Sequence, residues 1–324
     1  MDFKRPVGFE SLPGAAAVDA NNALYQFLSI IRQPDGTPLM DERGRVTSHL
    51  SGILFRTSTF LLKGIKPVFI FDGRPAALKQ GTVDERRKMR TEAAVRWKEA
   101  QERGDEEAAY KHARASSRVD DAIITSAKEL LSLLGIPVLD APGEGEAQAA
   151  FMAERGDVRY AISQDYDTLL FGAPYLVRNL TVSGKRKIRG RLVTVIPERI
   201  VLSEVLSGLA LTREQLIQIG ILVGTDFNDG IEGIGAKTGL KIVRNGDFHR
   251  KLADKDPGFD PGPVMDLFLH PQVREEYELS WGHPDPEGIR RMLCDGYNFS
   301  AERVNKALEG FAVRHGQKTL QDWF

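Results

Sequence analysis

The sequence predicts an α/β fold with a mostly parallel central sheet and helices on both faces. Short apolar runs, typical of buried strands, alternate with helical patterns, and this alternation is characteristic of parallel sheets. The chain has 324 residues, of which 42% are hydrophobic, so it can bury a sizeable core. No linker clearly divides it. We therefore expect one elaborated domain over residues 1–316, followed by a short terminal peptide, 317–324.

The predicted elements follow from the spacing of the apolar residues. Among the helices, Arg213–Val223 has Thr212 and Gln215 placed for a capping box. The predicted strands are Ala15–Val18, Pro67–Phe71, Ile136–Leu139 and Val158–Ile162. The other predicted helices are Ala23–Ile31, Leu50–Leu62, Val119–Leu134, Glu144–Glu154 and Glu198–Leu206.

Residues 80–118 differ from the rest of the chain. They are almost entirely polar, alanine-rich and free of proline, which favours helices without a core-facing stripe. Two interpretations fit this pattern: a solvated helical insertion, or a mobile helical element over a site.

Composition excludes several classes of protein. A single cysteine, Cys294, excludes an internal disulfide, and the six histidines have no zinc-site spacing. No apolar run approaches the roughly 20 residues that cross a bilayer, and the N-terminus lacks a signal-peptide core. We therefore expect an intracellular protein without a membrane partner. The net charge of −1 hides local basic runs such as 185–191, KRKIRGR, although a solvated surface is the ordinary explanation of such a run.

Acidic residues gather where strands end. In parallel sheets, ligands bind beyond the carboxyl ends of the strands. Three predicted strands lead into acids there, a short turn places two glutamates at a helix start, and another helix ends in ILVGTDFND. The seven acids that would converge at this edge are Asp19, Asp72, Glu144, Glu146, Asp165, Asp167 and Asp226.

Each acid alone has an ordinary explanation, such as a turn, a helix cap or a favourable first-turn charge. Together, seven uncompensated acids at one edge would repel one another, and no motif supplies enough basic residues to neutralise them. Divalent cations bound among the acids would neutralise them. Oxygen-only ligands favour magnesium or manganese over zinc, and two such ions are a recurring device for phosphodiester hydrolysis.

A second phosphate chemistry competes for the stretch DYDTL. Haloacid-dehalogenase-type phosphatases use a strand followed by D-x-D-x-[TV], with the first aspartate as nucleophile. Here Leu169 occupies the fifth position and Thr168 falls one place early. That scheme also leaves Asp19 and Asp72 without a role, so it is the weaker alternative.

Five motifs together resemble the flap endonucleases, the structure-specific 5′ nucleases of DNA replication and repair. They are VDANNALYQFL, FIFDGRPAALKQG, PGEGEAQAA, SQDYDTLLFG and LVGTDFNDGIEGIGAKTGLKIV, and the resemblance runs from about Phe9 to Phe324. It is closest to the archaeal branch, because the chain lacks the lysine-rich tail of eukaryotic relatives. The resemblance implies a PIN-like fold with a helical arch, here 80–118, and a helix-hairpin-helix variant, here about 213–245.

The resemblance also implies roles for individual residues. The metal-binding carboxylates of the family map onto the same seven acids, for two magnesium ions that manganese can replace. The family's basic catalytic pair maps onto Lys79 and Arg86 at the base of the arch, although two solvated cations are the ordinary interpretation of such residues. Tyr25 matches an aromatic on which the family stacks a base. Spacing alone would make it a half-buried tyrosine.

Downstream DNA contacts are implied after Asp226. Gly233 and Gly235 precede a helix, where backbone N–H groups can approach a phosphate, and Lys237 follows them. A tight turn is the plainer interpretation of the two glycines. The family binds duplex there with help from a potassium ion.

The C-terminal QKTLQDWF resembles the sliding-clamp-binding box of the family. Gln317, Leu320, Trp323 and Phe324 have its Q-x-x-L-x-x-W-F spacing, although packing back onto the core is the alternative. The implied partners are branched DNA with a 5′ flap and a ring-shaped clamp, bound by a monomer in the cytoplasm, at the nucleoid.

One departure from the family concerns the N-terminus. Relatives usually carry a longer Met-Gly segment before the position of Phe9, and often charged residues where Pro13 and Gly14 stand. Either the start of the chain is assigned incorrectly or this segment is missing. A missing segment would predict less efficient catalysis, with the metal ligands intact. The expected activity is 5′ flap cleavage with 5′–3′ exonuclease activity. A catalytically weak DNA-binding clamp adaptor, or a bubble-cleaving or exonucleolytic relative, remains the alternative.

Overall fold

The fold is described from a computed structural model. It describes residues 3–33, 35–74, 77–79, 88–89, 91–93, 95–97, 99–100, 103, 108, 118–182, 184–188, 191–255 and 258–316. The predicted arch, 80–118, therefore lies largely outside the described residues, and Arg86 and the peptide 317–324 lie wholly outside them. Within these ranges, no helix is long and apolar enough to cross a membrane.

Within the described residues, seven strands form the central sheet, and two more form a separate hairpin. The strands of the sheet are β1 (Arg5–Pro6), β2 (Gly14–Asp19), β3 (Ile65–Phe71), β4 (Val138–Asp140), β5 (Tyr160–Ile162), β6 (Tyr175–Arg178) and β9 (Glu198–Val201). The hairpin consists of β7 (Gly184–Ile188) and β8 (Arg191–Val195), which contain the described part of the basic run, residues 185–188 and 191. The order in the sheet is β1-β9-β6-β5-β2-β3-β4.

All four predicted strands are present and pair in parallel, which confirms the predicted fold class. β2 is central: it pairs with β3 from Gly14 to Asp19 and with β5 up to Val18, which lies opposite Ile162. β4 and β6 extend this parallel core on either side. The carboxyl ends of β2, β3 and β5 consequently lie at one edge of the sheet.

One predicted element is wrong. The segment 198–206 was expected to be a helix throughout, but β9 occupies Glu198–Val201, and the helix spans Leu202–Leu209. β9 pairs antiparallel with both β6 and β1, so its backbone groups are satisfied in the sheet. Tertiary pairing of the β-branched Ile200 and Val201 overrides the local helical pattern.

Apart from this segment, the predicted helices are present, and the structure contains further helices that the apolar spacing did not predict. Their bounds are α1 (Ala20–Ile30), α2 (Ser48–Leu62), α3 (Asp121–Leu133), α4 (Gly145–Glu154), α5 (Asp167–Leu170), α6 (Leu202–Leu209), α7 (Arg213–Val223), α8 (Ala236–Arg244), α9 (Phe248–Lys255), α10 (Pro261–Leu269), α11 (Pro286–Arg290) and α12 (Ala301–Gly316). Short 3-10 helices cover Phe9–Ser11 and Ala77–Lys79, and a π-helical turn covers Arg291–Gly296. The predicted capping box is present at α7.

Alternating side chains on the central strands separate two apolar layers. Val18 and Phe69 pack into one cluster with α1, α2, α3 and α12. Their neighbours Ala17 and Val68 pack into the other, with α4, α7, α8 and α10. Helices therefore cover both faces of the sheet, as predicted, and the parallel strands are buried on both sides.

An extended segment, 270–285, forms hydrogen bonds with residues from the first half of the chain. The Gln148 side-chain amide donates to the carbonyl oxygen of Arg274 and accepts from its N–H, at 2.9 and 2.7 Å. Trp281 Nε1 donates to the carbonyl oxygen of Pro67 at 2.7 Å. These contacts hold the segment against α4 and the amino end of β3.

Candidate active site

Asp19 is the last residue of β2 and also the N-cap residue of α1. Its Oδ1 accepts a hydrogen bond from Asn22 N at 3.0 Å, so the carboxylate caps the helix. Its Oδ2 accepts from Ser163 Oγ at 2.9 Å. The residue is only 5% exposed. The strand-to-helix junction thus fixes this carboxylate at the edge of the sheet.

Asp72 follows β3 and links it to the start of α4. Its Oδ1 accepts from Gly145 N at 2.7 Å, and its Oδ2 accepts from Asn21 Nδ2 at 2.7 Å. Gly73 N donates to the carbonyl oxygen of Gly143 at 2.7 Å, which joins the same two turns through the main chain. The turn after β3 therefore holds Asp72 beside Glu144, the N-cap residue of α4.

Ser163 connects three of the acidic segments. Besides Asp19, its hydroxyl contacts Glu146 Oε1 at 3.2 Å and accepts from Asp165 N at 3.1 Å. Ser163 lies immediately after β5 and is 3% exposed. Sequence reasoning did not select it, although a hydroxyl between a strand end and paired acids was a usable signal.

The paired aspartates form a compact turn. Asp167 N donates to Asp165 Oδ1 at 3.2 Å, and Thr168 Oγ1 donates to the carbonyl oxygen of Asp165 at 3.0 Å. Asp167 is the first residue of α5. Both carboxylates are partly exposed to the cleft, whereas Thr168 behind them is fully buried.

Lys79 brings the last acid into the cluster. Its Nζ lies 2.5 Å from Glu144 Oε2 and 3.6 Å from Asp226 Oδ2. Asp226 follows α7, in a turn closed by the hydrogen bond from Thr225 Oγ1 to Asn228 Oδ1 at 2.8 Å. The structure therefore brings the seven predicted acids together around one cleft, with Lys79 among them.

The crowding of carboxylates changes their proton affinity. Burial raises the pKa of Asp19 to about 7, and the charges of Asp72 and Asp165 add to this effect. Asp72 is exposed to solvent, but neighbouring protein atoms still partly desolvate its carboxyl, and this desolvation together with the charge of Glu144 raises its pKa. Each of these carboxylates disfavours the ionisation of its neighbours.

The same repulsion extends to the other side of the cluster. Burial, followed by the charges of Asp165 and Asp19, raises the pKa of Glu146 well above its usual range. Burial, followed by Asp165 and Asp226, raises the pKa of Asp167 to about 7. A site that penalises its own anions in this way favours a bound cation.

The donor set suits hard divalent ions. It consists of carboxylate oxygens, and the buried Glu144 Oε1 and Asn21 Oδ1 have no hydrogen-bond partner among the described residues. In the described part of the chain, no three acidic, histidine or cysteine side chains are already arranged as a ligand set for one ion. The oxygens are grouped around one cleft. The two oxygens without hydrogen-bond partners are therefore available to bind a cation there.

The predicted DNA contacts lie on the surface of the α7–α8 region and on α1. Gly233 has φ of 80°, and a Cβ there would meet no atom of the described residues within 4 Å. Gly235 is the N-cap of α8 and Lys237 lies in its first turn, and all three residues are exposed. Tyr25 is half-buried in α1.

Comparison with known proteins identifies the family. Residues 3–93 match the XPG N-terminal domain, and residues 135–226 match the XPG I-region. Flap endonuclease 1 of Methanoregula boonei is 70% identical over 323 residues, which cover 100% of this chain and 97% of the relative. The chain belongs to the flap endonuclease family. Flap endonuclease 1 of Pyrococcus horikoshii is 50% identical, with 99% of this chain and 96% of the relative covered.

Solved structures agree with this assignment. The flap endonuclease-1 of Methanococcus jannaschii matches with a TM-score of 0.78 at 39% identity, over 97% of each chain. The catalytic core of Rad2 in complex with a DNA substrate matches with a TM-score of 0.71 at 25% identity, over 95% of this chain and 96% of that one. This member of the flap endonuclease family is therefore a metal-dependent nuclease, which confirms the predicted archaeal-type family and enzyme class.

Proposed function

We propose that this flap endonuclease hydrolyses a DNA phosphodiester near the junction of a 5′ single-stranded flap with duplex, in replication and repair. The observation that carries the proposal is the cluster of carboxylates around Ser163 and Lys79 at the carboxyl edge of the sheet. The shared name of the relatives and the DNA-bound Rad2 core support the substrate class. A 5′–3′ exonuclease activity at the same site accompanies flap cleavage.

Two magnesium ions, or manganese in their place, would supply an activated water and stabilise the leaving oxygen. The residues of this chain would hold them directly or through water. Asp19 and Glu146 share the Ser163 hydroxyl, so they stay oriented toward the same cleft. The residues that would hold the ions are Asp19, Asp72, Glu144, Glu146, Asp165, Asp167 and Asp226.

Lys79 and Arg86 would stabilise charge on the scissile phosphate. Lys79 is 17% exposed on its side chain, so its ammonium faces the cleft rather than bulk solvent. A cation held in this partly desolvated position interacts more strongly with a phosphate than a solvated one does. Arg86, which lies outside the described residues, would act from the base of the arch, 80–118.

Further contacts would orient the DNA. Tyr25 would stack a base near the scissile phosphate. Gly233, Gly235 and Lys237 would contact the downstream duplex with a potassium ion, because the open surface at the start of α8 lets a phosphate approach the backbone. The nuclease domain, 1–316, would act as a monomer in the cytoplasm, tethered to a sliding clamp by the peptide 317–324.

A substrate panel tests this function. It contains 5′-flap, bubble, nicked and single-stranded RNA substrates and a small phosphoester, each with magnesium and with a chelator. We expect magnesium-dependent cleavage of the 5′ flap near the junction and no cleavage with the chelator. Preferred cleavage of the bubble or of RNA would favour the specialised relatives. An inactive protein that still binds the flap would favour the adaptor.

Two matched variants test the carboxylates. Asp167→Asn removes a charge from the cluster, and it should lower single-turnover cleavage by at least about 10²-fold. Asp140→Asn removes another strand-end carboxylate. Asp140 does not belong to the cluster, and its Oδ1 forms an ion pair with Lys128 Nζ at a distance of 2.5 Å. It should cleave like the parent, and duplex affinity should persist in both variants. Normal turnover of Asp167→Asn at saturating magnesium would overturn the metal assignment.

A further inference from the structure

The residue between the paired aspartates, Tyr166, has no part in the function proposed above. It is 41% exposed and lies at the edge of the buried acidic cluster. Its neighbours Asp165 and Asp167 face the cleft. The orientation of both carboxylates therefore depends on what holds this turn.

Arg178 holds the turn from the adjacent strand. Its Nε donates to the carbonyl oxygen of Gln164 at 3.1 Å, and its Nη1 donates to the Tyr166 hydroxyl. The guanidinium carbon also lies 4.0 Å from the centroid of the Tyr166 ring. One side chain thus contacts the residue before Asp165 and the residue after it.

The anchor itself is firmly placed. Arg178 ends β6, whose Val177 lies opposite Ile162 of β5 in the parallel ladder. On its other side Arg178 lies opposite Glu198 of β9, and its Nη1 is 4.0 Å from Glu198 Oε2. Its side chain is only 17% exposed. Two neighbouring strands therefore fix the position from which the guanidinium reaches the turn.

A second cation approaches the same ring. Lys4 Nζ lies 5.6 Å from the Tyr166 centroid, and a hydrogen bond with Tyr166 raises the pKa of Lys4. Cation–π contacts of this kind stabilise a ring in place, and Arg178 covers part of the surface on which a base could stack. These contacts favour a positioning role for Tyr166 over direct contact with DNA.

We propose that Arg178 and Tyr166 form a clasp, defined by these two residues, that positions Asp165 and Asp167 for divalent-metal binding. The clasp rests on the metal role proposed for those aspartates. Its guanidinium also places a positive charge beside the turn. Residues that orient metal ligands commonly change metal affinity by about 10- to 100-fold when they are replaced.

The test measures binding of manganese alone by electron paramagnetic resonance, and the magnesium midpoint of single-turnover cleavage. Arg178→Lys keeps the charge but loses the planar contacts, and Tyr166→Leu loses the ring. Both should weaken manganese binding and raise the magnesium midpoint by about 10-fold or more. Tyr166→Phe keeps the ring and should recover most of the affinity.

Tyr175→Leu is the matched control, because Tyr175 is 42% exposed on β6 itself and has no contact with the acidic turn among the hydrogen bonds and ring contacts of the described residues. It should bind manganese like the parent. Melting temperatures are compared for all variants. If Arg178→Lys does not fold, Tyr166→Leu, at an exposed position, carries the test alone.

Asp167→Asn serves as the reference that separates the two proposals. If it weakens manganese binding while Arg178→Lys and Tyr166→Leu bind like the parent, the clasp alone is overturned. If Asp167→Asn also binds normally, the metal role fails and the clasp fails with it. Unchanged manganese binding with a raised KM for flap DNA would overturn the clasp too, because Tyr166 would then contact substrate.

Discussion

Lys79 and Glu144 form a close ion pair, with 2.5 Å between Nζ and Oε2, inside the acidic cluster. Burial opposes the charged form of Lys79, but the charges of Glu144, Asp72 and Asp226 outweigh it and raise the pKa of the ammonium. Lys79 therefore remains a cation throughout the working pH range. It joins the turn after β3 to the start of α4 and the end of α7.

Lys79→Ala should slow the single-turnover cleavage step by about 10²-fold or more, because the reaction loses a cation preorganised in a partly desolvated site. Flap affinity should change much less, since most binding energy comes from distant phosphate contacts. Rapid-quench cleavage with enzyme in excess measures the step, and fluorescence anisotropy measures the affinity. Arg86→Ala should behave in the same way.

Lys128→Ala is the control for this prediction. Lys128 also forms an ion pair at 2.5 Å, with Asp140, but away from the cleft. Its removal should leave cleavage unchanged. If Lys79→Ala and Arg86→Ala weaken binding but cleave normally at saturation, the pair serves only as an electrostatic footprint for DNA.

Gly73 allows the two turns at the cleft to meet. A Cβ at this position would lie 2.1 Å from the carbonyl oxygen of Ala141 and 2.6 Å from that of Pro142. Gly73→Ala should therefore push the Asp72 turn away from the start of α4. We expect a loss of about 1–3 kcal/mol in the free energy of unfolding, and cleavage reduced beyond what this loss explains.

The facing glycine provides the control. In the described part of the chain, a Cβ at Gly143 would have only the carbonyl oxygen of Gln272 within 4 Å, at 3.7 Å, which is an ordinary contact. Gly143→Ala should have the same free energy of unfolding and the same cleavage rate as the parent. Denaturant titration and cleavage rates of the two variants check the pair, and equal behaviour would show that the turns can separate without cost.

His49 predicts a pH dependence of stability. It is 1% exposed, and its Nε2 lies 2.8 Å from Ser126 Oγ, between α2 and α3. Burial lowers its pKa to about 4, against a weaker opposing effect of Asp120. The unfolded chain takes up this proton near its ordinary pKa of about 6.5. Unfolding is therefore coupled to proton uptake as the pH falls from about 6.5 to 4.

The free energy of unfolding should consequently decrease with falling pH through this window, by about 2 kcal/mol between pH 7.5 and pH 5. Because the raised pKa values of the site carboxylates act in the opposite direction, the quantity to measure is the difference between parent and His49→Gln. Denaturant titrations in chelator at both pH values give that difference. If the parent loses no more stability than His49→Gln, the histidine does not control this response.

The acidic cluster was predictable because parallel strands bring their carboxyl ends to one edge whatever the helices between them contain. The hydrogen bonds that connect the acids of the cluster were not predictable. The Ser163 hydroxyl reaches Asp19 across 144 positions and Glu146 across 17, and no local pattern encodes such pairs. The helical pattern at 198–206 failed for the same reason, since pairing with β6 and β1 decides the conformation of β9. Local patterns predicted elements, whereas contacts between distant segments set the details.

The C-terminal peptide is expected to act independently of the folded domain. Helix α12 is described from Ala301 to Gly316 and is anchored through Val304 and Phe311, which are buried in the core beside α2. Deleting residues 317–324 removes none of this anchoring. The truncated protein should therefore keep its melting temperature and its clamp-free cleavage rate.

Binding to a ring-shaped clamp should instead be lost, because Leu320, Trp323 and Phe324 supply the apolar contacts of the expected docking segment. Calorimetry with the clamp, and stimulation of cleavage by it, measure this for the deletion and for Trp323→Ala combined with Phe324→Ala. Phe311→Ala is the contrasting variant: it should lower the free energy of unfolding by about 3–5 kcal/mol and still bind the clamp. A large drop in melting temperature of the Trp323 and Phe324 double variant, with clamp affinity retained, would place these aromatics in the core instead.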